Sequence, residues 1–188
     1  MPVNKEKDLP DTQALVVWLT GLSGAGKTTL ANELKNALSV QGTTAFVLDG
    51  DALRQGINAG LGFSDQDRNE NIRRTAEVAR LFSLAGVVSI VALISPFAKA
   101  RQMAREIIGS DSFFEVFVQC PLEVAKQRDP KGLYAKAAAG ELKNFTGIDS
   151  VYEAPENPDL VVQTNLFTPA NSAELVLKAI QTKLMLRA

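Results

Sequence analysis

The chain has 188 residues, a formal net charge of −1 and no histidine. This length suits one α/β domain with a sizeable core, and we treat residues 1–188 as a single domain. The near-zero charge gives no argument for binding nucleic acid or an anionic membrane surface. The absence of histidine removes the commonest general base, so proton transfer must fall to a carboxylate, a lysine or the substrate itself.

The N-terminal segment and the single cysteine bear on where the protein works. Residues 1–13 are polar and lack the apolar core of a signal peptide, and we interpret them as a flexible arm. The longest apolar run, Val87–Ile94 with its flanks, is too short to span a bilayer. Cys120 is alone, which excludes an internal disulfide, and its place at the end of an apolar strand indicates a buried, inert thiol. These features predict a cytoplasmic protein.

The first predicted strand, Leu15–Leu19, ends abruptly at a glycine-rich segment, GLSGAGKT, at residues 21–28. The segment fits the pattern G-x-x-x-x-G-K-[ST], and Thr29–Leu38 continues with leucines at helical spacing. The glycines allow backbone N–H groups to turn towards phosphate oxygens at a helix N-terminus. The pattern predicts a nucleoside-triphosphate site, in which Lys27 reaches the β- and γ-phosphates and Thr28 binds Mg²⁺. The predicted nucleotide-binding residues are Gly21, Leu22, Ser23, Gly24, Ala25, Gly26, Lys27, Thr28 and Thr29.

Two carboxylates follow the second predicted strand, Thr44–Leu48, and precede a short helical piece, Ala52–Ile57. In open α/β sheets, ligands bind beyond the carboxyl ends of the strands, which is where Asp49 and Asp51 fall. The third strand, Val87–Ile94, ends without a carboxylate. Asp49 or Asp51 is therefore the predicted metal-side or base carboxylate, and a solvated turn is the alternative.

The next segment carries arginines and an aromatic residue. A long helix is predicted from Asp65 to about Ala85, with Ser64 as its N-cap. Arg54 and Arg68 lie at loop–helix junctions on the presumed ligand side, where they can bind an anionic second substrate. Arg73 and Arg74 are interpreted as residues of a solvated or salt-bridged helix face.

Phe63 and Phe145 each lie in polar, glycine-rich surroundings. Such an aromatic residue belongs either to the core or to a platform that stacks on a flat ring such as adenine. The sequence leaves both readings open.

The remaining elements complete an alternation of strands and helices. Val87–Ile94 is continuously apolar, as a central parallel strand covered on both faces should be. Arg128–Pro155 differs, because it is charged, alanine-rich and punctuated by glycine. The alternation predicts a five-stranded parallel sheet with helices on both faces. The other predicted elements are helix Lys99–Ile108, strand Phe114–Gln119, helix Leu122–Gln127, strand Leu160–Gln163 and helix Ala173–Leu186.

From about residue 16 to residue 164 the sequence resembles the adenylyl-sulfate kinase (APS kinase) family. The segments that carry the resemblance are GLSGAGKTTL, LDGDALRQGI, LGFSDQDRNENIRRTAEVARLF, ISPF, FFEVFV and RDPKGLYAKAAAGELKNFTGIDSVYE. The phosphate loop alone indicates only nucleotide binding. The combination of DGD-x-x-R, GFS-x-x-DR-x-x-N and KNFTGID is far more specific.

The resemblance implies a reaction. ATP would phosphorylate the ribose 3′-hydroxyl of adenosine 5′-phosphosulfate (APS), giving 3′-phosphoadenosine 5′-phosphosulfate and ADP. It also implies the three-layer phosphate-loop kinase fold with a lid at residues 128–150, a homodimer, and a functional link to an ATP sulfurylase. Mg²⁺ would accompany ATP, held by Thr28 and Asp51.

The resemblance also implies roles for individual residues. Lys27, Asp51 and Ser95 would be catalytic, with Asp51 near the attacking hydroxyl and Mg²⁺. Ser95 would either carry a phosphoserine intermediate or form a hydrogen-bonding wall of the pocket, and without a neighbouring base we favour the wall. Arg128 would join the phosphate loop in binding ATP, and Phe63 and Phe145 would sandwich the adenine of APS. The residues expected to bind APS are Asp51, Arg54, Phe63, Arg68, Asn71, Ile94, Ser95, Lys131 and Phe145.

The sequence departs from the family pattern at Ala98, Ala100 and Ala138, where charged residues are usual. The change at Ala138 puts lid closure or ATP affinity in question. Two other functions stay open at this point. One is a kinase of the same fold that acts on another small molecule, and the other is a non-catalytic nucleotide-binding regulator.

Overall fold

The fold is organised around one parallel β-sheet. The structure is a computed structural model that describes residues 13–142 and 144–185. Its five strands pair in parallel, in the order β2-β3-β1-β4-β5. This confirms the predicted five-stranded parallel sheet. The strands are β1 (Val16–Thr20), β2 (Ala45–Asp49), β3 (Val88–Ala92), β4 (Phe113–Gln119) and β5 (Leu160–Gln163).

Helices cover both faces of the sheet, which confirms the three-layer architecture. They are α1 (Lys27–Val40), α2 (Gly50–Gln55), α3 (Asp65–Leu84), α4 (Ala98–Ile108), α5 (Leu122–Arg128), α6 (Leu133–Ala138) and α7 (Pro169–Met185). Helices α1 and α7 contribute to one apolar cluster, and α3 and α4 contribute to the other. The sheet lies between these two clusters.

The position of strand β1 between the two apolar clusters explains why its sequence is almost entirely apolar. Successive side chains of a strand point to opposite faces of the sheet. Val17 and Leu19 belong to the core with α1 and α7, whereas Val16 and Trp18 belong to the core with α3 and α4. All four side chains are fully buried. A strand enclosed on both faces leaves no polar position, so its sequence shows no alternation.

The helix boundaries differ from the predictions at three places. Helix α2 begins at Gly50 instead of Ala52, because the Asp49 side chain accepts a hydrogen bond from the Asp51 N–H and caps the helix. Helix α7 begins at Pro169, four residues before the predicted start, since proline fits the first turn of a helix. Helix α6 forms within the predicted lid, where no helix was predicted.

Other predictions agree with the structure. Ser64 caps α3 by accepting from the Asp67 N–H, and Cys120 is buried and free. Arg73 and Arg74 both pair with Glu70 on the helix face. Across residues 13–142 and 144–185, no helix is long and apolar enough to cross a membrane. Residues 1–12 of the predicted arm lie outside the described residues.

Candidate active site

A cavity of about 920 Å³ opens at the carboxyl ends of the strands. The strand order places β1 beside β3, so the phosphate loop lies next to the segment that follows β3. The Gly21 N–H donates to the carbonyl of Ile94 at 3.4 Å and joins the two. Most of the predicted site residues line this cavity, namely Ser23, Gly24, Gly26, Lys27, Thr28, Thr29, Asp51, Arg54, Phe63, Arg68, Asn71, Ile94, Ser95, Arg128, Lys131 and Phe145. Gly21, Leu22 and Ala25 belong to the loop but do not line the cavity wall.

Two positions of the phosphate loop require glycine, because the backbone of other segments approaches them closely. Gly24 has φ 73°, a left-handed conformation, and a Cβ there would lie 2.7 Å from the carbonyl oxygen of Ala125. A Cβ on Gly21 would overlap the carbonyl oxygen of Val118. The loop is thus held tightly against the ends of β4 and α5, which keeps its N–H groups directed into the cavity.

Lys27 is the first residue of α1 and is buried. Its Nζ donates to the carbonyls of Gly21 at 2.9 Å and Leu22 at 2.7 Å. Burial, followed by the charge of Lys131, lowers the pKa of Lys27 to about 7. Bound phosphates would bring negative charge to this ammonium group and raise the pKa again.

The two carboxylates after β2 have different partners. Asp49 Oδ2 accepts from the Thr28 hydroxyl at 2.7 Å, and Asp49 Oδ1 accepts from the Asp51 N–H at 2.9 Å. The Asp51 carboxylate instead pairs with Lys131 from the lid segment. Both Asp51 and Lys131 are exposed. Asp49 is therefore tied to the phosphate loop, and Asp51 faces the lid.

The oxygens near the phosphate loop suit a hard divalent cation. Within the described part of the chain, no three acidic, histidine or cysteine side chains cluster as a metal site. The Thr28 hydroxyl and the Asp49 carboxylate are oxygen ligands of the type that Mg²⁺ accepts together with water and substrate phosphates. The residues present fit Mg²⁺ brought in with ATP.

Arg68 joins the two loops that carry the aromatic residues. Its Nε donates to the Phe63 carbonyl at 3.0 Å, and its Nη1 donates to the Thr146 hydroxyl at 2.5 Å. Its Nη2 donates to the carbonyl of Asn144. The guanidinium group is buried between the loops, so Arg68 fixes their relative position in addition to lining the cavity.

Phe63 and Phe145 both line the cavity but differ in environment. Phe63 is 51% exposed, and the Arg54 guanidinium lies 4.4 Å from its ring centroid. Phe145 is 7% exposed and meets the ring of Tyr134 edge-on at 5.0 Å. Phe145 is thus part of the core and of the cavity wall, and Phe63 is an open aromatic surface with a cation on one face.

Ser95 follows β3 and has φ 46°, a conformation that non-glycine residues rarely adopt. Its side chain is 2% exposed, and its Oγ accepts from the Trp18 indole N–H at 3.0 Å. The carbonyl of Ile94 accepts from the Thr20 hydroxyl at 2.7 Å. Ser95 is a fixed part of the cavity wall.

The nucleotide side of the cavity contains residues that sequence reasoning missed. Arg128 Nη2 donates to the Thr164 carbonyl at 2.8 Å, and the Thr164 hydroxyl donates to the carbonyl of Ala25 at 2.7 Å. Phe167, Pro169 and Ser172 complete this wall. They follow β5, a short edge strand, and no sequence motif marks them.

Comparison with known proteins gives the family. The model of the family described as "Adenylylsulphate kinase" matches residues 13–163. The chain belongs to the adenylylsulphate kinase family. It is 56% identical over 158 residues to the adenylyl-sulfate kinase of Enterobacter sp. (strain 638), which covers 84% of this chain and 79% of that protein.

Two further members of the adenylylsulphate kinase family are similar over most of their length. The adenylyl-sulfate kinase of Clostridium kluyveri is 50% identical over 169 residues, covering 90% of this chain and 84% of that one. The solved structure of the Mycobacterium tuberculosis APS kinase CysC in complex with AMPPNP and APS is 46% identical. It superposes with a TM-score of 0.87 and covers 90% of this chain and 99% of that chain. The predicted resemblance is confirmed.

The alanines that depart from the adenylylsulphate kinase pattern lie in different environments. Ala100 is buried in the core between α4 and the sheet. Ala98 is the first residue of α4, and its N–H donates to Glu153 Oε2 at 2.6 Å. Ala138 is the last residue of α6 and is exposed. None of the three is part of the phosphate loop or of the pair Asp49 and Asp51, and the phosphate loop and this pair are intact.

Proposed function

We infer that this protein is an adenylyl-sulfate kinase that transfers the γ-phosphoryl group of ATP to the ribose 3′-hydroxyl of APS. The observation that carries the inference is the single cavity that combines a complete phosphate loop, Asp51 and two aromatic residues in a chain of this family. The products are 3′-phosphoadenosine 5′-phosphosulfate and ADP. The paired aromatic residues favour a purine-bearing acceptor over a sugar acid or shikimate.

The residues of the cavity suit direct in-line transfer. The 3′-oxygen forms a bond to the γ-phosphorus while the bond from that phosphorus to the bridging oxygen breaks, and ADP leaves. Such a transfer requires alignment and charge stabilisation more than covalent chemistry from the protein. Lys27 neutralises charge on the phosphates, and Asp51 takes the proton of the attacking hydroxyl. Lys131 pairs with Asp51 Oδ2, so Oδ1 is the oxygen placed to accept that proton while the pair is intact.

Mg²⁺ accompanies ATP in this proposal. The Thr28 hydroxyl holds the ion, and Asp49 orients that hydroxyl through the 2.7 Å hydrogen bond. Asp51, which the sequence resemblance assigns to the metal as well, is two residues after Asp49 in the first turn of α2 and pairs with Lys131. When bound, the ion neutralises phosphate charge and aligns the γ-phosphoryl group.

The other site residues receive roles on the same basis. Arg128, Thr164 and Phe167 line the part of the cavity in which the adenosine of ATP binds. Arg54, Arg68 and Asn71 bind the phosphosulfate group, and Phe63 and Phe145 bind the adenine of APS. Homodimer formation, a cytoplasmic location and a link to an ATP sulfurylase stay predictions of the family resemblance.

The test of the proposed function is ADP release with and without APS. We expect ADP to form at an enzymatic rate only when APS is present with ATP and Mg²⁺. Shikimate and gluconate serve as alternative acceptors in parallel reactions. Turnover with either of them and none with APS would replace the proposal with a different small-molecule kinase. Absence of turnover with every acceptor, together with ATP binding, would favour the nucleotide-binding regulator.

The aromatic platform predicts a change that is specific for one substrate. Phe145→Ala should raise the KM for APS more than the KM for ATP, because loss of stacking on a base costs roughly 1–3 kcal/mol. Since Phe145 is buried, Phe145→Leu provides a variant that keeps the packing without the flat ring. Phe167→Ala, on the nucleotide side, should raise the KM for ATP instead. Equal effects of Phe145→Ala on both substrates would show that Phe145 serves only the core.

Ser95 should act as a wall and not as a phosphoryl carrier. Among the described residues, no basic side chain bonds to Ser95 Oγ, which accepts from the Trp18 indole, and an unactivated hydroxyl is a weak nucleophile. Ser95→Ala should therefore keep measurable activity with weaker APS binding. Rapid quenching of the wild type with labelled ATP and no acceptor checks this directly. Label that accumulates on Ser95 at the rate of turnover would refute direct transfer.

A further inference from the structure

A buried pair of charges supports Ser95 from behind the cavity. Arg101 on α4 and Glu115 on β4 are both buried, and Arg101 Nε lies 2.9 Å from Glu115 Oε1. The Arg101 Nη1 donates to the carbonyl of Ser95 at 2.8 Å. Neither Arg101 nor Glu115 lines the cavity. The pair therefore reaches the site only through Ser95.

Ser95 needs such support because of its backbone. Its left-handed φ of 46° costs a non-glycine residue roughly 1–3 kcal/mol, and it persists only when neighbouring groups impose it. Arg101 holds the carbonyl from one side, and the Trp18 indole N–H holds Oγ from the other at 3.0 Å. The Thr20 hydroxyl adds a longer bond of 3.4 Å to the same carbonyl. Together these contacts hold both the backbone and the side chain of Ser95.

The supports of Ser95 are connected to each other. Arg105, one turn after Arg101, lies 3.5 Å from Glu115 Oε2 and 4.7 Å from the centroid of the Phe113 ring. The Phe113 ring in turn packs against Trp18, with centroids 5.7 Å apart. Arg105 has no contact with Ser95 itself. Arg105 therefore shares with Arg101 the partner Glu115 and a similar environment, but it does not contact Ser95.

A buried ion pair is weak as a source of stability. Removing two charges from water costs about as much as their attraction returns, and well-packed apolar replacements are often neutral or stabilising. Stability alone therefore does not explain Arg101 and Glu115. Fixing the carbonyl of a strained residue at the cavity wall does, because an apolar side chain cannot donate to it.

We propose that Arg101, oriented by Glu115, is a positioning residue for the acceptor: it holds Ser95 and the preceding Ile94 as a fixed wall against which APS binds. The proposal rests on the proposed function, since it takes APS to be the molecule at this wall. The phosphate loop touches this wall through the bond from the Gly21 N–H to the Ile94 carbonyl, but it also packs against the backbone of Val118 and Ala125. We therefore expect ATP binding to depend on Arg101 less than APS binding does. The predicted signature is a selective rise in the KM for APS.

The decisive variant is the double substitution Arg101→Met with Glu115→Leu. It removes both buried charges together and abolishes the donor to Ser95, and Arg105, which loses Glu115, keeps its ion pair with Asp159. No buried charge is left unpaired, so we expect the variant to fold. We expect the KM for APS to rise roughly tenfold, because misplacing a binding wall weakens substrate positioning, while the KM for ATP rises less. Arg101→Lys keeps the charge but lacks the planar fork that spans Glu115 and the Ser95 carbonyl, so it should give an intermediate KM for APS.

Arg105→Met is the matched control. It disturbs the same Glu115 and should lower the melting temperature, but it should leave the KM for APS at the wild-type value. Trp18 is the only tryptophan, so its near-ultraviolet circular dichroism reports on the Ser95 contact without substrate. The double variant should change this signal, and Arg105→Met should change it less.

The outcomes separate the two proposals. Failure of the wild type to turn over APS would overturn the proposed function, and the Trp18 signal would still decide whether Arg101 fixes Ser95. Turnover by the wild type, with the same KM for APS in the double variant and in Arg105→Met, would overturn the positioning role alone.

Discussion

Lys27→Ala is expected to lower kcat by at least about 100–1,000-fold, because it removes the fixed positive charge beside the transferring phosphoryl group. In the structure the Lys27 ammonium is buried in the loop and bonded to two of its carbonyls. It is thus preorganised at the position where phosphates bind. Steady-state ADP release at saturating ATP and APS measures the loss.

Lys35→Ala is the control for this prediction. Lys35 lies on the same helix, α1, but is exposed. Its replacement removes an equal charge and should leave kcat at the wild-type value. A folded Lys27→Ala protein with near-normal kcat would contradict the assignment of residues 21–28 as the catalytic phosphate loop.

Asp51→Ala is the second change with a large expected effect. It should reduce kcat to near the background rate, because the chain has no histidine and Asp51 is the carboxylate that faces the acceptor side. Asp51→Asn tests the charge at constant size and should be equally impaired. The loss should appear in single-turnover experiments, where product release does not contribute.

Asp111→Ala provides the matched control, since Asp111 is an exposed aspartate in the turn before β4, at the opposite end of the sheet. It should retain full activity. If Asp49→Ala abolished turnover while Asp51→Ala did not, the roles of the two carboxylates would be reversed, and Asp49 would be the base.

The fold was largely predictable because its signals are local. The apolar runs of β1 and β3 and the phosphate-loop pattern each lie within a short window of sequence, and the structure reproduces them to within one or two residues. Helix α6 was missed because its six residues are too few to show periodicity. The start of α7 was predicted at Ala173 instead of Pro169, because the turn from Pro169 to Ser172 has no apolar periodicity.

The contacts that shape the site were less accessible from sequence. The conformation of Ser95 depends on Trp18, which is 77 residues away, and the position of the Phe145 loop depends on Arg68, 78 residues before Thr146. Local propensity disfavours a left-handed serine, and the contacts that hold Ser95 come from Trp18 and Thr20 on β1 and from Arg101 on α4. The sequence alone predicted Arg68 as an anion ligand and gave no sign of its three contacts to the loops.

The position of β1 in the sheet has a consequence for how the chain folds. β1 is the first strand of the described chain to be synthesised, yet it pairs with β3 and β4, which begin at Val88 and Phe113. Until β4 has been synthesised, at least one edge of this apolar strand is unpaired, a state that favours aggregation. Pairing over such sequence separations also slows folding. The wall around Thr164 and Ser172 forms later still. The nucleotide site thus contains the earliest part of the described chain to be synthesised and is among the last parts to be completed.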